Sequence, residues 1–570
     1  AELVQGKNKT GDRLIQLRKG LNAIYANENS HLYINYVIND VNLKYTDQPR
    51  IPIHVEGGRA NGFFDANTMT NADWDKLVSL KSQGFFNDEV IRLKSKHTIH
   101  SLSLSGVEEQ QKAGNWEYNG EYKGITGVLG KWDDVHDLEQ DFFSPKQFEG
   151  RFNCLMFSTD ASGLYAFPYG TFIGTVSTTF SYKEWAKGSP GDNAGNLWAV
   201  VHETGHHYQK LFNLARCLES SNNLWSNIAV WKRGASVSRL DAPQKLFDRF
   251  NRDQSWFDMD LGDRSRMYWQ LWLYYVELGK KPTFFHELFE KFRKDPIDSR
   301  NAKTDYLRFA RFCSEVAQED LTEFFTFYGF FKKTGENLPL KYNDGFYDRV
   351  YAPATISVSQ ADIDECKTEM SKYSKKANNL LFIDERIRQT PATFEGHKPG
   401  DVRWATIGGL NPGDSRVFGD VGHYTDFGTK DQPGTTAQPK AVQWEERTIR
   451  IEGTGAVGYK VYDAQGKLVM VANRHAFTIP AQLDLSQIKI CVAGGDGGEV
   501  EIYKDGKILP AYDKPLSFDN PVGLTVSTGT KNPFGKYIIR NYRVFNGKYY
   551  YADEQSRPTA NQTEAGEFIF

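Results

Sequence analysis

The chain has 570 residues, more than one hydrophobic core ordinarily serves, so several domains are expected. Hydrophobic residues make up 39% and charged residues 25%, the balance of a globular rather than a disordered protein. With 69 Lys and Arg against 72 Asp and Glu, and no long basic run, nothing supplies a phosphate footprint, so no nucleic-acid partner is expected.

The opening segment, residues 1–29, is polar and reads as an N-terminal extension without a hydrophobic signal core. It implies a cytosolic protein or one whose targeting segment has been removed. From 30 to 110, short apolar runs alternate (HLYINYVI, PRIPIHVEGG, HTIHSLSLSG) between Gly and Asn clusters, which predicts a β-rich subdomain. Residues 111–355 turn to helical periodicity, as in NLWAVVHETGHHYQKLFNLA and SRMYWQLWLYYVELG. The second run is stopped by Gly279, with Pro282 beyond. A charged stretch within 356–394, SQADIDECKTEMSKYSKKANNLLFIDERIR, reads as a helical connector. From 395 to 570 the pattern becomes Gly-rich short strands (RTIRIEGTG, GYKVYDAQGKLVMVA, KICVAGG, EVEIYKDGKI), a β-sandwich-like region of one or two units. The whole is a multidomain α+β chain. No stretch approaches the roughly 20 apolar residues of a transmembrane helix. Five scattered cysteines, Cys154, Cys217, Cys313, Cys366 and Cys491, include no CxxC pair and read as buried apolar residues.

Chemistry concentrates in His202-Glu203-Thr204-Gly205-His206. Residues i and i+4 of a helix share a face, so both imidazoles can reach one metal ion, and the glutamate between them can serve as general base. A catalytic zinc ordinarily takes a third protein ligand and keeps a fourth position open. Glu219, in the next helical run CLESSNNLWSNIAV, is the nearest carboxylate placed to complete a His2Glu set; Asp241 lies further on. Asn223, four residues after Glu219 on the same face, is a candidate to support a ligand from behind. Gly205 costs a helix about 1 kcal/mol relative to alanine, which predicts another backbone passing close by. His207 is turned about 100° away from His206 and is not expected to bind the same ion. His286-Glu287 lacks a second histidine and reads as an ordinary amphipathic helix. Tyr268 and Tyr169 are candidates to stabilise an oxyanion or contact substrate, although a core position is the ordinary reading of each. The segment from Leu164 to Gly174 is a candidate edge strand beside the cleft, Pro168 favouring an edge.

With these residues in place, HETGHHYQ and ESSNNLWS resemble the active-site segments of the enhancin and enhancin-like metallopeptidase family. PIHVEGGRANGFF, GLYAFPYGTFIG, MYWQLWLYY, FFHELFEKFRKDPI and DLTEFFTFYGF extend the resemblance over residues 30–355. Thr204 departs from it, standing where many relatives carry an aliphatic residue. The resemblance implies a gluzincin-type catalytic domain with Zn2+ on His202, His206 and Glu219 and with Glu203 as base. It further implies an O-glycosylated, mucin-like protein substrate, and secretion or attachment at the cell surface or envelope. A monomer is expected. The alternative is a non-catalytic glycoprotein- or glycan-binding surface protein built on a peptidase scaffold.

Overall fold

A computed structural model of the protein describes residues 2–6, 13–25, 31–35, 52–57, 62–83, 90–118, 120–143, 155–158, 165–166, 172–174, 181, 195–206, 211–214, 217–232, 237–241, 243–296, 302–334, 338–340, 354–385, 402–404, 436–473, 476–516, 542–545, 548–552 and 558–563. Strands β1 (Glu2–Gly6), β2 (Arg13–Gln16) and β3 (His31–Asn35) form an antiparallel sheet in the order β2-β1-β3.

The leading half of the chain then builds one mixed sheet with helices interleaved. Its members in chain order begin with β4 (Phe63–Asp65), α1 (Asn71–Ser79), β5 (Val90–Lys94), β6 (Thr98–Ser103) and α2 (Leu104–Lys112). A small hairpin follows, β7 (Glu117–Tyr118) with β8 (Glu121–Tyr122), and then the long helix α3 (Gly124–Phe143). Short strands β9 (Leu155–Ser158), β10 (Tyr165–Ala166) and β11 (Phe172–Gly174) finish the set. The six-stranded order is β10-β11-β9-β6-β5-β4, so the sheet takes strands from both sides of residue 110. Parallel pairing of β6 with β9 closes it across α3, whose length supplies the crossover that parallel neighbours need. Helix α1 starts where Thr70 and Asp73 form a reciprocal capping box, and it buries Trp74 and Leu77 against the sheet.

The middle of the chain is helical. In order come α4 (Gly195–Gly205), α5 (Leu218–Lys232), α6 (Pro243–Asn251), α7 (Leu261–Trp272), α8 (Phe284–Lys294), α9 (Ala302–Ala317) and α10 (Thr322–Phe327). Helix α5 is buried from Ser220 to Trp231 without a solvent face. Its serines and asparagines are accommodated by hydrogen bonding inward, as Ser221 Oγ to Cys217 O (2.7 Å) and Asn223 Nδ2 to Ser265 Oγ (2.9 Å) show. Helix α7 runs on into a π turn, Leu273–Glu277, and Trp225, Trp231, Trp269 and Trp272 fill the space between these helices.

Strands β12 (Leu338–Leu340) and β13 (Ala354–Ile356) pair with each other and precede α11 (Gln360–Met370), capped by Ser359 and Asp362. After α11, β14 (Ile383–Glu385) pairs with β15 (Val402–Trp404). The C-terminal sandwich contains β16 (Gln438–Glu445), β17 (Thr448–Thr454), β18 (Ala456–Tyr462), β19 (Leu468–Ala472), β20 (Ala476–Thr478), β21 (Lys489–Gly494), β22 (Glu499–Lys504) and β23 (Lys507–Ile508). Its sheets, β16-β17-β20 and β19-β18-β21-β22-β23, enclose Val442, Ile449, Ile451, Tyr459, Ile490, Val492 and Ile502. A further antiparallel sheet joins β24 (Tyr542–Phe545), β25 (Lys548–Ala552) and β26 (Pro558–Thr563). The α+β class follows from this order: a leading β-rich layer, a helical middle and a β-rich end.

The sandwich does not hang from a linker. Val457, Tyr462, Leu468, Val471, Cys491 and Ala493 belong to the same apolar core as the helices. Lys460, fully buried on β18, pairs with Glu323 of α10 and with Glu499 (2.8 Å) of β22. Asn251 of α6 donates to Val471 O (2.9 Å) and accepts from Val471 N (3.0 Å), adding a strand-like bond pair across the junction. No helix among the described residues is long and apolar enough to cross a membrane.

Candidate active site

Helix α4 exposes its chemistry at its C-terminal end. Leu197, Val200 and Val201 are buried, which orients His202 and Glu203 at the junction with α5. The helix ends at Gly205, and His206 is the first residue beyond it. Glu219 lies in the first turn of α5, where a carboxylate is favoured by the helix dipole.

These elements bring three donor groups together. The carboxylate Oε2 of Glu219 is 2.8 Å from His202 Nε2 and 3.9 Å from His206 Nε2. The two rings stand nearly perpendicular at 84°, with centroids 4.7 Å apart. Burial pushes the His202 pKa down, more than Glu219 beside it pulls it up, so the imidazole is held neutral. For Glu219, burial pushes the carboxyl up, but the hydrogen bond with His202 and the neighbouring His206 and Arg239 hold it below its ordinary range. Neutral imidazoles and an ionised carboxylate are the protonation states that a divalent metal requires of such ligands.

The surroundings fix these side chains. The Asn223 amide nitrogen donates to Ser265 Oγ (2.9 Å), and the Asn223 side chain lies near enough to His202 to act on its pKa in the upward direction. Asn223, the candidate to support a ligand, is buried beside His202 and tied to α7 through Ser265. Gly205 faces Asn222 and Trp225 of α5: a Cβ there would overlap Asn222 Oδ1 and lie 2.8 Å from Trp225 Cδ1. Close approach was anticipated from a backbone; the neighbours are side chains. Asn222 Nδ2 also donates to the His202 carbonyl, so glycine lets α5 reach and hold the turn that carries the ligands.

Two residues that sequence patterns did not single out belong to this constellation. Glu139, fully buried on α3, accepts from Trp225 Nε1 at 3.1 Å and bonds the side chain of Thr204. Burial raises its pKa to about 8. Thr204, the departure from the aliphatic pattern, therefore faces a polar partner. Arg239 lies 4.2 Å over the Trp198 ring, and Trp198 in turn stacks on His202 with centroids 4.9 Å apart. Its positive charge bears on both Glu219 and Glu203. Arg239 has left-handed backbone, φ 55, costly for a non-glycine residue and imposed by its neighbours. Asn227 Oδ1 accepts from Trp198 Nε1 and Ser238 N, while Nδ2 donates to Ser238 O, each at 3.0 Å.

Other sequence candidates fall elsewhere. Tyr268 is a core residue with no exposed surface, its hydroxyl donating to Phe212 O (3.4 Å) and its ring packed on Phe212 and Phe309; it is not placed to meet a substrate. Tyr169, Pro168, His207 and Gln209 lie outside the described residues. The sheet ends, among the described residues, at β10, which packs beside α4, so an edge runs next to the site. Asp241 is paired with Lys245 (2.6 Å) in a separate cluster with Asp260 and Asp263. His286 Nε2 contacts Asp141 O (2.6 Å) on the amphipathic helix α8. Cys217, Cys313, Cys366 and Cys491 are buried and form no disulfide among the described residues; Cys154 lies outside them.

Residues 128–329, which carry this site, match the family described as Peptidase M60, enhancin and enhancin-like, and residues 442–501 match the Peptidase M60 C-terminal domain. Over these residues the chain is similar to the enhancin-like M60 peptidase family. No curated protein matches the chain in sequence. In fold it is similar to a metallopeptidase from Bacteroides thetaiotaomicron, at 22% identity and TM-score 0.65, over 88% of this chain and 81% of that one. A metallopeptidase solved in complex with Tn antigen is also 22% identical, with TM-score 0.64, over 88% of this chain and 89% of the other. The ZmpB metallopeptidase from Clostridium perfringens matches at 15% identity and TM-score 0.50, over 88% and 90%. The second family match covers the sandwich, a region that the sequence resemblance had left uncovered.

Proposed function

We propose that this chain is a zinc-dependent endopeptidase that cleaves glycosylated, mucin-like proteins at the junction of α4 and α5. The observation that carries the reading is the convergence of His202, His206 and Glu219, whose donor atoms all lie within 4.8 Å of one another. Two imidazole nitrogens and one carboxylate oxygen form the His2Glu set that suits a catalytic zinc, and a fourth position remains for substrate chemistry. When bound, zinc supplies Lewis acidity, acidifying water and polarising a carbonyl oxygen.

The remaining steps belong to the chain. Glu203, half-buried between the two histidines, takes the proton from the attacking water and returns it to the leaving amine nitrogen. Arg239 holds a cation beside Glu203 and Glu219 and orients polar substrate groups, a role open to it because Tyr268 is enclosed in the core. Strand β10, the end of the sheet among the described residues, offers an edge along which an extended peptide can pair. A glycan beside the scissile bond is supported by the likeness to a metallopeptidase solved with Tn antigen. Placement at the cell surface or outside the cell rests on the family resemblance.

The test is digestion of one mucin-type protein, O-glycosylated and enzymatically deglycosylated, by wild-type protein and by Glu203→Gln. The glycosylated form is cut by wild type alone, with Glu203→Gln retaining its zinc. Turnover surviving in Glu203→Gln defeats the assignment of the base, and equal cutting of both substrates defeats the glycan requirement.

A further inference from the structure

Behind the peptidase site lies a carboxyl group that the proposed chemistry does not use. Glu139 sits near the C-terminal end of α3, one turn before Phe142 and Phe143, and has no exposed surface. Burying a carboxyl is costly unless polar partners meet it. Here the partners come from two different helices. Oε1 accepts from Trp225 Nε1 (3.1 Å) on α5, and the carboxyl also bonds the side chain of Thr204 on α4. Those helices carry the site: His202 and Glu203 stand on α4 with His206 just beyond it, and Glu219 stands on α5. One side chain of a third helix is thus joined to both halves.

Each partner is coupled in turn to a site residue. Thr204 follows Glu203 directly, is fully enclosed, and donates from its hydroxyl to Val201 O (3.1 Å) in the same turn. What meets Glu139 is therefore the turn from which Glu203 and the two histidines project. Trp225, also fully buried, lies against Gly205, its Cδ1 2.8 Å from where a Cβ would stand. Its ring stacks on Phe142 (5.6 Å, 16°) and meets Phe143 edge-on (5.5 Å, 64°), so the end of α3 grips it on several sides.

Apolar packing would be enough to hold the Trp225 ring in place. It would not orient Thr204, nor would it satisfy the buried indole N–H, which needs an acceptor. Burial pushes the Glu139 carboxyl up to about 8, so at neutral pH it sets no negative charge behind Glu203. A neutral acid also keeps the capacity both to accept and to donate. Small errors in this frame matter, because displacing a reacting group by about 1 Å can cost on the order of 100-fold in rate.

We propose that Glu139 is a positioning residue for peptide hydrolysis: by tying Thr204 to Trp225 it sets Glu203 and the histidine pair against Glu219. It touches neither substrate nor ligand and acts through Thr204. On the other side of the turn, Asn222 of α5 holds the His202 carbonyl, so the ligand-bearing end of α4 is fastened at two points. The kinetic part of this inference rests on the peptidase reading; the ligand-spacing part does not.

The full chain loaded with Zn2+ provides the test: kcat and KM on an O-glycosylated mucin-type protein, and zinc affinity measured separately by chelator competition. Glu139→Leu fills the space without hydrogen bonding and is expected to lose about tenfold in kcat and about tenfold in zinc affinity, with KM unchanged. Glu139→Gln, whose amide can accept from Trp225 and bond Thr204, restores both. Thr204→Val keeps the shape, removes the hydroxyl and lowers kcat in the same way, and the Glu139→Leu/Thr204→Val double variant is no worse than Glu139→Leu. Should Glu139→Leu fail to fold, Thr204→Val decides, since wild-type kcat and zinc affinity in that protein overturn the role. So would a folded Glu139→Leu with wild-type values, a Glu139→Gln as impaired as Glu139→Leu, or losses that multiply in the double variant. A wild-type chain that binds zinc yet cuts no glycoprotein would sink the peptidase reading instead, and the zinc affinities of the same variants would still decide the positioning.

Discussion

At position 205 two effects of one methyl group oppose each other. Alanine gains about 1 kcal/mol of helix propensity over glycine, but here its Cβ overlaps Asn222 and crowds Trp225, and overpacking of that kind costs about 1–3 kcal/mol. Because Asn222 also holds the His202 carbonyl, the clash is transmitted to a ligand. Gly205→Ala is expected to lose about 1–2 kcal/mol in urea unfolding and to bind zinc more weakly in chelator competition; unchanged affinity would show that α5 shifts without disturbing His202. Glu139 makes a prediction with a definite sign. Its carboxyl keeps its proton to about 8 in the folded chain against an ordinary 4.5, so from pH 5 to pH 8 the native state binds the extra proton. Stability from this group is therefore present at low pH and falls as pH rises. Glu139→Gln, neutral and of the same shape, should gain on wild type steadily over that interval, and a pH-independent difference between their urea midpoints would refute it. HETGH was legible because its spacing puts both histidines on one helix face, and Glu219 because it is the nearest carboxylate in the next helical run, where the family resemblance also places a ligand. Glu139, in a run that reads as solvated helix, and Arg239, in no pattern at all, acquire their roles only from tertiary contact.

Among the elements, helices were the most readable, since α4, α5, α7 and α8 carry long apolar periodicities. Strands β9, β10 and β11 were not, having only two to four residues each, too few to establish an alternation. That is why the leading sheet continues past residue 110 although the sequence changes to helical character there. The serines and asparagines of helix α5 have the composition of a solvated face, yet they are buried and frame the site. Asn227 is its most consequential tie, joining α5 to Trp198 and to the Ser238 backbone beside Arg239. Asn227→Ala would leave buried partners unsatisfied, a cost of about 1–3 kcal/mol, and would release Arg239 from its left-handed conformation. The expected kinetic signature is a KM raised several-fold with zinc content unchanged. A drop in kcat alone would place Arg239 in the chemical step rather than in substrate positioning.

For the molecule as a whole, the sandwich was legible from its turns and short strands, but its docking was not. Lys460, in GYKVYDAQG, has the pattern of an outward strand residue and is instead fully buried between Glu323 and Glu499. Replacing it with methionine would keep the stem and strand two carboxylates against each other; removing one partner of a buried ion pair costs on the order of 3–5 kcal/mol. Lys460→Met is expected to lower the unfolding midpoint and to split one calorimetric transition into two, whereas a single unshifted transition would mean that the apolar contacts alone unite the halves. The Phe382 ring, arriving just after α11, presses on the bare backbone of Gly458, where any Cβ would collide with it. Anyone trimming this protein for expression should therefore keep the two ends of that contact on one polypeptide. A cut between them would leave a greasy scar on each fragment, and transplanting the sandwich to another enzyme would require a matching phenylalanine in the recipient.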